Sequence, residues 1–409
     1  MIYPENFERK IGFNEIRTLL KGRCLSSLGT EWVDKELHFM HDFEQIKQAL
    51  DEAREYKIFE EQTDEEVETE FFDVREALLR ARPERTFLEE LDLFNLKRSI
   101  ASVLSYAKLF TQKVDDEALS TTDADTENNG GQIKYLYPAL GKMACDVAVF
   151  PDIIRRIDNI LNKYGKVKDT ASPELLSLRH QIEITTRGIS HSLRSIINEA
   201  QTSGYIDRDV TPTLRDGRLV IPVAPALKRK IKGIVHDESA TGKTVFIEPS
   251  AVVDANNKIR TLRAAERREV IRILQEITIE IRPHIPELIS SLHFLAHVDF
   301  LRALNAFSNS FGAIVPNIQP KPSISWMRAI HPLLQHSLAK HGGKVVPLDV
   351  ELRPGQRILL ISGPNAGGKS VCLKTVGLLQ YMLQCGIPVP AGEDSCTGIF
   401  DDFMIDIVD

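Results

Sequence analysis

The fold turns on one stretch near the end of the chain, Arg357 to Leu383, which reads RILLISGPNAGGKSVCLKTVGLLQYML. Within it Gly363, Pro364, Asn365, Ala366, Gly367, Gly368, Lys369 and Ser370 fit the pattern G-x-x-x-x-G-K-S/T. The apolar run Ile358 to Ile361 precedes the glycines and an amphipathic helical run follows. Strand, glycine loop and helix in that order are what a phosphate-binding loop requires. Glycines let backbone N–H groups close around phosphate oxygens, and the opening helix adds its positive dipole end. Lys369 would reach the β- and γ-phosphates, and the Ser370 hydroxyl would ligate Mg²⁺. The expected cofactors are therefore ATP and Mg.

Outward from the loop, 409 residues allow two to four domains and a sizeable core. A net charge of −7 gives no global positive field, so any nucleic-acid contact must be local. Cys24, Cys145, Cys372, Cys385 and Cys396 are scattered without metal-ligand spacing and read as reduced thiols. The N-terminus MIYPENFERK has no apolar signal core and no apolar run reaches transmembrane length. The expected location is cytoplasmic, with no membrane partner.

Residues 1–110 carry helical spacing, as in Leu93, Leu96, Ile100, Val103 and Leu104. The acidic stretch Glu60 to Asp73 reads as a solvated loop, and Thr111 to Gln132 as a long polar loop. Pro173 to Ser203 is a long helix with Ser172 as N-cap and Leu178, Ile182, Ile189, Leu193 and Ile196 on one face. Short strands follow at Arg218–Val223, Gly233–His236 and Thr244–Ile247, with turns at Asp216-Gly217 and Thr241-Gly242-Lys243. A second long helix from about Ser250 to Arg282 carries Ile259, Leu262, Val270, Ile273, Ile277 and Ile281. Two long helices enclosing a small β unit suggest a pair of arms with a sheet at the far end. A further helix spans Asp299–Gly312, and Pro316, Pro320 and Pro322 mark a boundary. Trp326–Leu334 and Lys344–Leu352 read as strands leading to the loop, and Gly386–Ala391 as a turn and strand.

Lys228, Arg229, Lys230 and Lys232 at the β tip form the densest basic cluster. A phosphate-backbone contact and a solvated charged turn both fit it. Arg260, Arg263, Arg267 and Arg268, interleaved with Glu266 and Glu269, read as a salt-laced helix face. His331 reads as structural in preference to a nucleotide contact. Phe403-Met404-Ile405-Asp406 resembles an acid-terminated ATPase strand but lacks the following Glu, so the hydrolytic groups are expected to be missing from this chain. Four F-x-E matches, Phe246-Ile247-Glu248 among them, are too short to carry weight.

The chain resembles the MutS family, in particular its MutS-two branch. The resemblance rests on GPNAGGKSVCLKTVGLL (363–379) and IPVPA (387–391), with Asp406 to Asp409 departing from D-I-G-D at Val408. It extends upstream to Asp216-Gly217-Arg218 with Val220 to Val223, and to GIVHDESATGKTVFIEP (233–249) followed by Asn256-Asn257. Gly165 to Arg179 matches as well. The resemblance implies a mainly α-helical core and lever with a small β clamp, followed by a partial α/β P-loop ATPase domain of ABC type. The divisions are 1–203 core and first arm, 204–249 clamp, 250–313 second arm and core helices, and 314–409 nucleotide domain. It implies a homodimer closing around ATP, with branched or mismatched DNA, or a stalled ribosome and its rRNA, as partner. Members usually carry a C-terminal Smr endonuclease domain. That domain, the signature loop and the Walker B acids are expected to be absent here, so the chain should bind ATP without efficient turnover. Where relatives stack an aromatic on adenine, this sequence aligns Val345. A non-catalytic helical protein that binds nucleic acid or a protein partner is the alternative. Coiled-coil chromosome ATPases do not fit, because arms of about 30 residues are too short.

Overall fold

Long amphipathic runs and short β-branched runs become, in a computed structural model, a mainly helical protein with small sheets. The structure describes residues 2–63, 67, 69–114, 134–204, 206, 210–215, 217–239, 242–353, 355–363 and 368–406. From the N-terminus come β1 (Ile2–Tyr3), α1 (Phe7–Ile11), α2 (Phe13–Lys21), α3 (Ser27–Lys35), α4 (Phe43–Gln62), α5 (Arg75–Arg80), α6 (Glu90–Phe110), α7 (Pro138–Ala144) and α8 (Pro151–Ile160). The long α9 (Pro173–Thr202) leads into β2 (Thr213–Arg215), β3 (Arg218–Val223), β4 (Gly233–Glu238) and β5 (Val245–Pro249), and α10 (Val253–Ile281) returns. Then follow α11 (Ile285–Phe311), β6 (Asn317–Gln319), β7 (Ile324–Ala329), α12 (Pro332–Ala339), β8 (Leu348–Leu352), α13 (Lys369–Gln384), β9 (Cys396–Gly398) and β10 (Phe403–Met404). The chain divides into two units, one made of Met1–Leu79, Asn95–Ile154 and His284–Asp409, the other of Arg80–Phe94 and Arg155–Pro283.

In the second unit α9 and α10 lie along each other. Ser172 caps α9 through Leu175 N (3.0 Å), and its hydroxyl donates to Glu269 on α10 (2.6 Å), so one side chain starts one arm and ties it to the other. Arg272 holds the Glu269 carboxyl down to about 2, with burial opposing it and Ser172 assisting. The sheet is antiparallel in the order β2-β3-β5-β4. Its alternating apolar positions Ile221, Val223, Val245 and Ile247 pack on Ile189, Leu193 and Ile197 of α9 and Ile259 of α10. Each fully buried aliphatic side chain stabilises by about 1.5–3 kcal/mol, so this cluster holds the sheet on the arms.

In the first unit α2, α3 and α4 pack on α11. The expected helix at Asp299–Gly312 is longer, beginning at Ile285. Pro286 falls in its first turn, where proline loses no intrahelical hydrogen bond. Asp299, wholly buried, accepts from Leu25 N (2.9 Å), Ser26 N (2.9 Å) and Ser26 Oγ (2.7 Å). Position 29 must be glycine, because a Cβ there would lie 2.4 Å from the Asp299 carboxylate.

Three expectations are corrected. The acidic stretch from Glu60 to Asp73 is not simply a solvated loop, since α4 runs to Gln62 and Phe71 is buried. Backbone N–H groups of Glu70 and Phe72 bond Ser102 Oγ (3.1 Å) and Ser99 Oγ (2.9 Å), and Glu70 pairs with Arg98. Residues 64–66 and 68 lie outside the described residues, as do 115–132 of the second polar stretch. The Trp326–Leu334 run is strand only to Ala329, after which Pro332 opens α12. Finally, Ile358–Ile361 forms no strand, and Ile358 and Leu360 are each 87% exposed. A strand buried on both faces needs neighbours. The nearby sheet, β6-β9-β7-β8, pairs parallel only between β6 and β9, and places no described strand beside 358–361.

Candidate functional site

The helix that starts at the glycine loop is fixed from its far end. Gln380 and Gln384 of α13 are buried polar residues facing the β9 strand. Gln380 Nε2 donates to Gly398 O (2.8 Å) and its Oε1 accepts from Thr397 Oγ1 (2.7 Å). Gln384 Nε2 donates to Phe400 O (2.9 Å) and Met40 O (3.1 Å). Tyr381 lies among Phe7, Phe13 and Phe39, and its hydroxyl donates to Glu8 (2.9 Å). These groups read in sequence as ordinary polar helix positions. Each is placed by a partner distant in the chain.

The opposite end of α13 is exposed. Gly368 caps it in the left-handed region (φ 80°), and Gly363 stands at φ 152° with open space around it. Both conformations favour glycine. Lys369 begins the helix, with its ammonium donating to the Gly363 carbonyl, and Ser370 follows exposed in the first turn. Pro364, Asn365, Ala366 and Gly367 lie outside the described residues. The described flanks are compatible with a nucleotide phosphate: the first-turn amides, the positive helix end, the Lys369 ammonium and the Ser370 hydroxyl all belong to the start of α13. Among the described residues no three His, Cys, Asp or Glu gather to hold a metal, so Mg²⁺ would depend on Ser370 and the phosphates.

His331 caps α12, its Nδ1 accepting from Leu334 N (3.4 Å). Burial, with Lys374 assisting, pushes it down from 6.5 to about 4. Stability from its neutral form is then intact above pH 6.5 and lost as pH falls towards 4. His331→Asn keeps a capping acceptor and removes the titration. Urea melts of wild type and variant should converge at pH 7, while at pH 4.5 wild type loses more. Parallel loss in both would contradict this. Val345 is half-buried between α12 and β8. Phe403-Met404 pairs parallel with Ile2-Tyr3 as a two-stranded sheet, and Asp406 is exposed, apart from the β6-β9-β7-β8 sheet.

In the arm unit, Lys228, Arg229, Lys230 and Lys232 are exposed on the turn before β4, which buried Ile231 anchors. The reading of α10 as a salt-laced face is corrected. Glu266 pairs with Arg179 of α9 (2.8 Å) and Glu269 with Arg272 (2.6 Å), because both glutamates turn towards the arm contact. Arg260, Arg263, Arg267 and Arg268 are left exposed and make no ion pair among the described residues. The spacing of 260, 263 and 267 aligns them on one face.

At the base of the sheet Glu248 is wholly buried. Arg218 Nη1 donates to both its oxygens (2.8 and 2.9 Å), Asn256 Nδ2 donates at 2.8 Å, and the His236 ring contacts it. Arg218 Nη2 also reaches Asn257 Oδ1 on α10 (2.9 Å). Burial raises the Glu248 carboxyl, but the bonds from Asn256, His236 and Arg218 outweigh it and leave it lowered. This network explains why the 218, 236, 248 and 256–257 segments act as one motif. It fastens the sheet to the second arm.

No protein-family model matches the chain. Among curated proteins it is similar to endonuclease MutS2 of Pelotomaculum thermopropionicum, 39% identical over 273 residues, 67% of this chain and 34% of that protein. It is also similar to endonuclease MutS2 of a Geobacillus species, 32% identical over 407 residues, 97% of this chain and 47% of the relative. The counterpart of Alkaliphilus oremlandii is 33% identical over 401 residues, 98% and 47%. The chain thus spans about half the length of the curated relatives it matches. Glycine loop, arm helices and the Arg218–Glu248 motif all fall within a span matched almost from end to end, and on that match the chain belongs to the MutS2 branch of the MutS family.

Proposed function

We propose that the chain is the nucleotide-binding and clamp-bearing portion of a MutS2-type protein that acts on nucleic acid. The observation that carries this is the glycine-capped start of α13, with Lys369 and Ser370 in its first turn. ATP would sit with its phosphates on the α13 N-terminus, Lys369 on the β- and γ-phosphates and Ser370 on Mg²⁺. The nucleotide would supply binding energy for closing a cytoplasmic homodimer. The core, clamp and arm divisions at 203, 249 and 313 belong to this reading, as does a P-loop ATPase domain from 314. The residues that would meet a phosphate backbone are Lys228, Arg229, Lys230 and Lys232, joined by the unpaired arginines of α10. DNA, branched or mismatched, is the preferred partner, and the relatives' endonuclease name supports DNA as such. A ribosome offers the same phosphate chemistry.

No helix among the described residues is long and apolar enough to cross a membrane. The uncovered run 358–361 favours one alternative, a nucleic-acid-binding protein without a nucleotide cycle.

Salt dependence separates the proposed contacts from bystanders. Binding of a four-way DNA junction should weaken with salt, and each phosphate contact removed should lower the log–log slope by about 0.9. The triple variant Lys228→Ala/Arg229→Ala/Lys232→Ala and the pair Arg263→Ala/Arg267→Ala should each flatten it. Unchanged slopes in both would remove these residues from the interface. Junction binding indifferent to ATP and to Lys369→Ala would support the alternative, and tighter binding to an rRNA fragment than to the junction would favour the ribosome.

A further inference from the structure

Away from the glycine loop and the arms, one cavity has the chemistry of a ligand site. Its volume is about 280 Å³, and it lies where α4 and the C-terminal half of α11 face Ile314 and Pro388. The segment behind it is pinned by paired bonds, Ile314 N to Val389 O and Val389 N to Ile314 O, both 2.9 Å.

Asn305 of α11 lines this cavity and is 4% exposed. Its amide nitrogen donates to the Glu60 carboxylate, which fixes which end of the amide is the carbonyl. The carbonyl Oδ1 is buried with no hydrogen-bond partner. A buried carbonyl left without a donor is destabilising unless a ligand or a water donates to it. On the facing α4 helix, half-buried Lys57 lines the same cavity and makes no ion pair among the described residues. Arg54, one turn before, lines it too and is held by Asp51 (2.7 Å). Leu304, Ile314 and Pro388 supply apolar wall, Ser308 and Asn317 add polar groups, and the exposed Glu393 carboxylate stands at the same cavity, leaving the Lys57 and Arg54 side as the cationic one. A concave site that combines apolar wall with a few polar groups is the general form of a small-molecule site.

The geometry points to a site for a small organic anion that also carries a hydrogen-bond donor. A phosphate or carboxylate would lie against the Lys57 ammonium and the Arg54 guanidinium, and a hydroxyl or amine would donate to Asn305 Oδ1. The volume falls just below the range of roughly 300–1,000 Å³ typical of drug-sized ligands, which selects a compact metabolite over a nucleoside triphosphate. The cavity shares no lining residue with the described part of the glycine loop.

Isothermal titration of the full chain with glycerol 3-phosphate, glycerate and methyl phosphate tests the assignment. The first two carry the hydroxyl donor on a phosphate and on a carboxylate, and methyl phosphate lacks it. One saturable site is expected for glycerol 3-phosphate, glycerate or both, and whichever binds identifies the anion. Methyl phosphate should bind more weakly, and Lys57→Met should weaken binding roughly tenfold or more. Asn305→Leu should erase the preference for the donor-bearing ligands. Should that buried variant not fold, Lys57→Met, on a helix surface, carries the test alone. Lys369→Ala, which bears on the separate glycine loop, should leave the affinity for these three ligands as it is in wild type. The assignment is overturned by no saturation of wild type up to about 10 mM, well beyond a millimolar Kd, which would leave the cavity to water. Binding indifferent to Lys57→Met, or lost in Lys369→Ala, would overturn it equally.

Discussion

Replacing Glu248 with alanine should destabilise the arm-and-sheet unit by about 3–5 kcal/mol, the usual result of removing one partner from a buried ion pair. The carboxylate is wholly buried, and its loss leaves Arg218 without both bonds at 2.8 and 2.9 Å and Asn256 without its 2.8 Å acceptor. Asn256 also accepts from Leu219 N (3.3 Å) and donates to Leu219 O (3.2 Å), so the damage passes from β5 to β3. Hydrogen exchange on the full chain should show amides of 218–249 losing protection by roughly two to three orders of magnitude. Amides of α11, in the other unit, should be unchanged. The pH dependence has a definite sign. Because the Glu248 carboxyl is held below its ordinary range, its contribution is complete above about pH 4.5 and is lost as pH falls through the lower folded value. Glu248→Gln should remove that acid-side loss. Protection unchanged in Glu248→Ala would show that the cluster is not what fastens the sheet.

The arms and their sheet were legible because helical spacing, turn residues and alternation agreed along 172–282. Ser172 could be recognised as a cap from Pro173 and the apolar run behind it, though its bond to Glu269 could not, since that partner is 97 residues away. Glu248 illustrates the limit more sharply. Phe246-Ile247-Glu248 looked like a chance three-residue match, and only the fold brings Arg218, His236 and Asn256 around its carboxylate. The arginines of α10 read as paired because Glu266 and Glu269 are interleaved with them. The structure turns Glu266 to Arg179 of α9, and Glu269 to Ser172 at the start of α9 and to Arg272 of its own helix. The run Ile358–Ile361 failed in the opposite sense: apolar composition states a need for cover, and says nothing of whether neighbouring strands are there to give it. Asn305 carries no sequence signal at all, since an orphaned carbonyl is a property of its surroundings.

The second large effect belongs to Lys369. A charge-assisted bond contributes about 1.5–3 kcal/mol, and an ammonium shared by two phosphates makes more than one, so Lys369→Ala should weaken Mg·ATP binding roughly a hundredfold or more. The variant should keep its fold, because α13 is held from Gln380, Tyr381 and Gln384 at the other end. Ser370→Ala should leave an ATP site whose affinity no longer responds to Mg²⁺. The direct measurement is therefore a titration of the full chain with Mg·ATP, wild type beside Lys369→Ala, with far-ultraviolet circular dichroism confirming equal helix content. Saturable binding by wild type, weakened at least a hundredfold in the variant, is the expected result. Equal binding by the two proteins, or none by wild type, would contradict a nucleotide site at Gly363–Ser370.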